Sequence, residues 1–293
     1  MRFKFVKSNR STFPMKKMCQ TLQISMSGYY AWRKRPESHR QRENILLRKR
    51  ILAIYNEHNG MIGSPMLTSE LRDEPLFQSV SQSRVARHMR ALELRCKYAK
   101  KFVPTTDSAH TEPVAPNLLD RNFTTSAPNM AWVTDITHIK VGRKWHYLTV
   151  FIDLYSRMVV GWDLSNSLER HSVIHALKKA VARRKPSSGL LIHSDRGVQY
   201  ASKDFRRCLK KRGYIQSMSR KGNCWDNAVA ESFFHTIKNQ LIRHRKFKTK
   251  YEAELASFNY IEAYCNRRRR HSSNGWLSPA SFEYRNEQYD LMA

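Results

Sequence analysis

The succession of apolar segments after residue 130 constrains this chain more than any other feature. Trp132-Val133-Thr134-Asp135-Ile136 reads as a strand, Val141-Gly142-Arg143 as a hairpin turn and Trp145 to Ile152 as a long apolar strand. Leu154-Tyr155-Ser156 makes a second turn before a third strand from Met158 to Trp162. Residues 168–184 carry Val173, Ile174, Leu177 and Val181 at helical spacing. Leu190-Leu191-Ile192 is a short, wholly apolar strand, as a strand buried on both faces requires. A helix from Ser202 to Arg212, a strand from Tyr214 to Met218 and a helix from Ala228 to Ile242 complete the series. Two hairpins followed by alternating helices and strands predict an α/β fold, a mixed sheet with helices packed on it.

Upstream the pattern is helical. Thr12 can cap and Pro14 suits a first turn, with Met15, Met18, Cys19 and Leu22 at helical spacing. After a turn at Ile24-Ser25, Ser25 or Ser27 caps a helix through Tyr29, Tyr30 and Trp32. Such a pair is either a helix-turn-helix, with its second helix in a DNA major groove, or a plain helical hairpin. Residues 41–58 form a longer amphipathic helix (Leu47, Ile51, Ile54, Tyr55) too short for a zipper. Ser64-Pro65 opens a helix carrying Leu67 and Leu71, and Ser81 caps one whose Val85, Met89 and Leu92 face inward. Arg84, Arg87, His88 and Arg90 lie off that stripe, as DNA contacts or as a solvated basic face. The basic run Arg95 to Lys101 leads into a stretch rich in Pro, Thr and Ser. The expected organisation is a helical region over 1–58, a second helix-turn-helix-like region over 59–101, a linker over 102–124 and an α/β core with a C-terminal helical segment over 125–293.

Charge narrows the partner. Lys and Arg number 53 against 24 Asp and Glu, a net +29. The excess is +13 over residues 1–115, +12 over 116–240 and +4 over 241–293, so it is not a basic tail. A charge of this size spread along a chain with 41% hydrophobic residues points to a folded protein that tracks a polyanion, nucleic acid rather than a membrane surface. No run of about 18 apolar residues is present, and MRFKFVKSNR lacks the apolar core of a signal peptide. Five scattered cysteines without C-x-x-C argue against a disulfide framework or a cysteine zinc site. A cytoplasmic location is expected.

In so basic a chain, three carboxylates stand out. Asp135 lies on the first strand, Asp195 follows the short apolar strand, and Glu231 lies in the first turn of the last core helix. If first and fourth strands are neighbours and that helix crosses their ends, the three converge. Converging acids repel one another unless a cation neutralises them, and hard oxygen ligands suit Mg²⁺ or Mn²⁺. Two ions about 3.5–4 Å apart would activate a water or hydroxyl and stabilise the leaving oxygen of a phosphodiester. Asp195 and Glu231 have 35 residues between them, and Lys238 falls two helical turns after Glu231, on the same face.

This spacing resembles that of the DDE recombinases, including retroviral integrases. FIDLYSRMVVGW (151–162), IHSDRGVQYAS (192–202) and SMSRKGNCWDNAVAESFFHTIKNQL (217–241) closely resemble the bacterial insertion-sequence transposases of the IS3 family, in the type made from the second reading frame, OrfB. FPMKKMCQTLQISMSGYYAWRKRP (13–36) and YCNRRRRHSSNGWLSPASFE (264–283) resemble the two ends of the same proteins.

The resemblance implies a ribonuclease-H-like catalytic core that cuts and joins DNA with Mg²⁺. Asp135, Asp195 and Glu231 would hold two ions, and Lys238 would contact the element end. It further implies nicking at a 3′ end by water, then attack of the freed 3′-OH beside the other end, giving a figure-eight that becomes a circle and is joined to target DNA. Partners would be double-stranded terminal inverted repeats and target DNA, a second copy at least, and in some elements an OrfA portion. The histidine and cysteine zinc domain of retroviral integrases has no counterpart here; the helical pairs take its place. Such transfers need no covalent intermediate, so Tyr155 and Tyr200 are expected to pack or to touch DNA.

Further expectations fall on neighbouring residues. Arg196, Gln199 and Tyr200 are expected at the DNA beyond the metal site. Lys221, Asn223, Trp225 and Asn227 would belong to a loop gripping the cut strand, or simply make a turn. His193 and His235 would stand behind the carboxylates. Arg267 to Arg270, including Arg268 and Arg269, is the densest cationic run and is expected on phosphates. Asp153, Asp163, Asp204 and Asp226 are expected to form turns or pair with nearby Arg and Lys. The rival readings are a helix-turn-helix regulator with an idle core and a ribonuclease-H-like nuclease.

Overall fold

The computed structural model describes residues 1–96, 113–221 and 223–292. The first part of the expected linker and the end of the basic run, residues 97–112, lie outside them. The chain opens with α1 (Arg2–Ser8), a helix that the sequence pattern did not announce. Phe3 on it stacks on Trp32 at 5.6 Å between ring centroids. α2 (Met15–Thr21) and α3 (Met26–Lys34) follow. Ser25 caps α3 by accepting from the Gly28 N–H at 2.9 Å, and Val6, Met18 and Tyr29 form a small core of their own.

α4 (His39–Glu57) begins with a capping box between Ser38 and Gln41. Its Leu47, Ile51 and Ile54 share a core with α5 (Ser64–Leu71) and α6 (Gln82–Ala91) through Leu67, Leu71, Val85 and Met89. The helix expected to close the first region thus packs with the second. The basic face of α6 is also more committed than its sequence suggests. Arg84 donates to Glu43 at 2.8 Å and to Asn44 at 2.9 Å. His88 is buried against Asn44 and Arg48 rather than facing solvent. Arg87 and Arg90 are exposed.

The core is a five-stranded sheet: β1 (Ala131–Val141), β2 (Lys144–Asp153), β3 (Val159–Ser165), β4 (Leu191–Ser194) and β5 (Ile215–Met218), in the order β3-β2-β1-β4-β5. The two hairpins pair antiparallel, and β1-β4 and β4-β5 pair parallel. Alternate side chains of the central strands feed two cores. Trp132, Phe151 and Val160 pack against α7 (Arg170–Arg184), α8 (Val198–Ala201) and α9 (Lys203–Lys210). Val133, Val150 and Ile152 pack against α10 (Ala228–Gln240) and α11 (Lys250–Phe258), which runs on through a π-helical stretch over Asn259–Cys265. Helices cover both faces, which explains the near-continuous apolar character of these strands.

After α11 the chain reaches back to the N-terminal helices and ends in α12 (Pro279–Met292). Gln240 donates to the Met61 carbonyl at 2.8 Å. The Tyr264 hydroxyl meets His58 Nδ1 at 3.2 Å, and His58 Nε2 lies 2.9 Å from Glu70. Arg270 pairs with Asp73 and donates to Ser69 Oγ at 3.1 Å. One member of the C-terminal arginine run is therefore spent on holding the helical unit to the core, not on phosphates. Among the described residues no helix is long and apolar enough to cross a membrane.

Candidate active site

The site grows from the parallel pairing of β1 with β4. Val133 lies beside His193, so Asp135 and Asp195, each two residues further on, emerge at the same edge of the sheet. Asp135 Oδ1 accepts the Ile136 N–H at 2.7 Å, and Asp195 Oδ1 accepts the Gly197 N–H at 2.9 Å. A side chain at position 197 would begin 3.0 Å from that same Asp195 oxygen, which is why the turn carries glycine.

The carboxylates act on one another. Burial pushes Asp135 well above the ordinary carboxylate range; Asp195 and then Glu231 push it further, while the Ile136 N–H and Lys238 oppose them. Glu231, in the first turn of α10, is raised by burial and then by Asp195. Burial lowers Lys238, and Asp135 resists that fall. All four groups thus share one field, as their spacing predicts. His138 belongs to it too: burial and Lys238 lower its pKa. Sequence reasoning missed this residue, whose one signal is its place three residues beyond Asp135 on the same strand.

Carboxylates that repel one another in one field are hard-oxygen donors whose charge a divalent cation would relieve, and Asp135, Asp195 and Glu231 supply that chemistry. Among the described residues, no three His, Cys, Asp or Glu side chains are gathered closely enough to enclose one.

The neighbours divide into packing and surface. Tyr200, expected to pack or to touch DNA, packs: it is buried, its hydroxyl 3.1 Å from Thr134 Oγ1 and its ring against Phe205, away from the DNA contact also expected of it. It forms the floor beneath Asp135 and Asp195. His193 is also buried, between Ser217 Oγ at 2.8 Å and Ser219 Oγ at 3.2 Å. Ser217 Oγ accepts the Leu118 and Leu119 N–H groups, so its proton goes to His193 Nδ1. Nε2 then carries the imidazole proton, and burial pushes this histidine down to about 4. It ties β4 to β5 from behind the carboxylates. Arg196 donates to the Ser219 carbonyl at 2.7 Å, and Gln199 donates to that of Leu168 at 3.1 Å. His235 meets Asn239 at 2.9 Å.

The stretch before α10 is organised by Asp226, which is fully buried. It accepts from Arg121 at 2.9 Å, from Asn117 at 3.1 Å and from Arg220 through both backbone and guanidinium. Arg121 also donates to Asn223 at 3.0 Å. Asn227 donates to the Thr134 carbonyl at 3.3 Å, linking this loop to β1 beside Asp135. Lys221 and Trp225 stand out from it, Trp225 at 69% exposure. Asp153, Asp163 and Asp204 pair with Arg184, Lys179 and Arg170, in line with the expectation for them. Arg268 is exposed, and Arg269 is half-buried.

Comparison with known sequences distinguishes a helical segment from the core. The family described as "Integrase core domain" matches residues 125–224, a second family of that description matches 231–288, and "HTH-like domain" matches 41–102. The chain is similar to "Transposase InsF for insertion sequence IS3A" of Escherichia coli K12, 39% identical over 288 residues, spanning 98% of this chain and 99% of that one. It is similar to the "Insertion element IS600 uncharacterized 31 kDa protein" of Shigella sonnei, 39% identical over 94% of this chain and all of the other. Among solved structures, the simian T-cell lymphotropic virus intasome aligns with a TM-score of 0.46 at 15% identity, covering 80% of this chain and 74% of that chain.

Proposed function

This chain belongs to the IS3 family of insertion-sequence transposases, and from that premise we propose that it cleaves the 3′ ends of its own element and joins them to DNA at the site of Asp135, Asp195, Glu231 and Lys238. The observation that carries the reading is the β1-β4 register, which delivers Asp135 and Asp195 to one edge within the field of Glu231 and Lys238.

Asp135, Asp195 and Glu231 would hold Mg²⁺ or Mn²⁺, two ions in all, which when bound supply Lewis-acid stabilisation of the reacting phosphodiester. Lys238, half-buried beside the carboxylates, meets a phosphate of the element end. Tyr200, Thr134 and His193 brace β1 and β4 against α8 and β5 and take no part in bond breaking. Water attacks first and the freed 3′-OH second, each in line, so no serine or tyrosine is acylated or phosphorylated. The sequence of joins passes through a figure-eight and a circle before integration.

The division into helical regions over 1–58 and 59–101, a linker over 102–124 and the core over 125–293 assigns end recognition to the helices and chemistry to the sheet. Arg87, Arg90, Lys221, Trp225 and Arg268 face outward and are suited to double-stranded terminal repeats and target DNA. Asn223, Arg196, Gln199 and Arg269 border the same track, and His235 lies on the Glu231 face of α10. Two element ends must be held at once, so the working species is at least a dimer, in some elements with an OrfA portion. The work is done on DNA in the cytoplasm.

The test is strand cleavage and joining on labelled duplexes carrying the element's terminal repeats, with Mg²⁺ or Ca²⁺, for wild type and Glu231→Gln. Mg²⁺-dependent nicked and joined products, lost in the variant, support the reading. Tight binding without products in any metal, with or without an OrfA-OrfB fusion, overturns it in favour of a regulator.

A further inference from the structure

A cavity of about 570 Å³ lies outside the carboxylate site, between α10, the end of β2 and the entry to α5. Its walls include residues 61–66 at the entry to α5, the Ala228–Gln240 side of α10, Ile152 and Arg157 at the end of β2 and in the turn after it, and the segment from Arg269 to Trp276. Ser232 on its wall is the residue next to Glu231.

Two arginines line this cavity without a direct ion pair, Arg157 only in the field of Asp153. Arg157 Nη1 and Arg269 Nε are both buried and have no hydrogen-bond partner among the described residues. No Asp or Glu is among the described residues of the wall. The contrast with Arg184 is direct, since that buried guanidinium is paired with both Asp153 and Glu283. Arg157 is moreover held at φ +64°, a left-handed conformation that a non-glycine residue adopts at a cost. His271 beside them is held neutral, pushed down to about 3 by burial, Arg269 and Arg157. Guanidinium N–H groups without a partner and two like charges lining one space without a direct ion pair suit an anion. The rest of the wall is not that of a bare anion hole. Phe233 and Trp276 supply aromatic surface, and Ser232, Thr236 and Ser273 supply hydroxyls.

We propose that this cavity is a nucleotide pocket: it takes a phosphate of a DNA strand on Arg157 and Arg269 and the attached, unstacked base against Phe233 and Trp276. Aromatic faces accept any base, so the pocket grips a strand without reading its sequence. Placed between the helical unit and the helix that carries Glu231, it fixes the strand's path where it leaves the duplex. The inference rests on the DNA-joining function proposed above, but its test does not need that activity.

The test is thermal unfolding of the full chain without divalent metal, in the presence of deoxyadenosine monophosphate, deoxyadenosine or inorganic phosphate. The monophosphate is expected to raise the midpoint by several degrees, with much weaker effects from the other two. Arg269→Gln is expected to weaken that binding about tenfold or more, the worth of a charge-assisted contact to phosphate. Should Arg269→Gln fail to fold, Trp276→Ala serves as the second variant, removing the stacking surface. A short single-stranded oligonucleotide is expected to displace a fluorescent monophosphate. No shift with the monophosphate, an equal shift with inorganic phosphate, full retention in the folded variants, or a monophosphate that the strand cannot displace each overturns the proposal. Loss of joining in Glu231→Gln with monophosphate protection intact separates this result from the test of the carboxylate site.

Discussion

Val133 and His193 face each other across a parallel strand pair, and that one register places Asp135 and Asp195 at a common edge. A slip of one residue would turn one of the two carboxylates to the opposite face of the sheet. Buried hydrogen bonds fix each strand to its other neighbours, His193 tying β4 to Ser217 and Ser219 and Tyr200 tying α8 to Thr134 of β1.

Asp195→Asn is expected to lower strand joining by about 10³-fold, the scale of several kcal/mol of lost Lewis-acid stabilisation. Because Asp195 raises the pKa of both Asp135 and Glu231, its neutralisation relieves repulsion. The metal-free variant should melt no lower than wild type and should lose the stabilisation that Mg²⁺ gives. Calorimetry with and without Mg²⁺ checks both; a variant that melts lower and still responds to Mg²⁺ would contradict the assignment.

Lys238→Gln is expected to weaken binding of the element end and to reduce the slope of log K against log salt by about one, the signature of one phosphate contact. Fluorescence anisotropy across a salt series reads it directly. An unchanged slope would return Lys238 to a purely internal role opposite Asp135.

Two arginines of α6 should separate by function. Arg87→Ala, exposed, is expected to cut the salt slope by about one while leaving the melting temperature unchanged. Arg84→Ala, which loses Glu43 and Asn44 as partners, should lower the melting temperature with little effect on the slope. The reverse pattern would show that the exposed arginine is not on DNA.

Asp226→Asn is expected to lower the melting temperature by about 5 °C, since it leaves Arg121 and Arg220 facing a neutral amide at a buried position. The pH dependence follows from the direction of its shift. The Arg220 side chain, its N–H and Arg121 hold Asp226 well below the usual carboxylate range. Its stabilisation is therefore fully present above an unfolded pKa of about 3.9 and is lost as pH falls below that value toward the folded pKa. Melting curves between pH 5 and pH 3 should steepen their decline below pH 4 in wild type and less so in the variant.

Gly161→Ala should destabilise the core by about 1–3 kcal/mol, measured by urea unfolding. An added Cβ would lie 2.5 Å from the Ala180 Cβ and 2.8 Å from the Ala176 carbonyl, forcing α7 away from β3. A neutral result would mean that α7 is not packed against that strand.

Much of the core was legible because alternation in strands and helical spacing are local properties. The turn at Val141-Gly142-Arg143, the brevity of Leu191–Ser194 and the start of α10 at Ala228 all fall within a few residues of expectation. α1 was not legible: seven residues carrying Arg and Lys show no apolar stripe, and its Phe3 and Val6 acquire meaning only against Trp32 and Tyr29. Tyr200 and His88 looked like surface residues because each is polar and stands beside cations in the sequence. Each is in fact buried through a partner distant in the chain, Thr134 for one and Asn44 for the other.

By itself, then, the sequence determined the order of the core elements, a charge suited to a polyanion and the spacing of the three candidate acids, for these follow from periodicity, net charge and position within one chain segment. Only the tertiary structure decided which cations remain for DNA. Arg84 and Arg270 are consumed by Glu43, Asp73 and their neighbours, while Arg157 and Arg269 lie half-buried along a cavity with no carboxylate among its described wall residues. The physical reason is that a charge's role is set by what surrounds it at a few ångströms, and those surroundings come from residues up to some two hundred positions away.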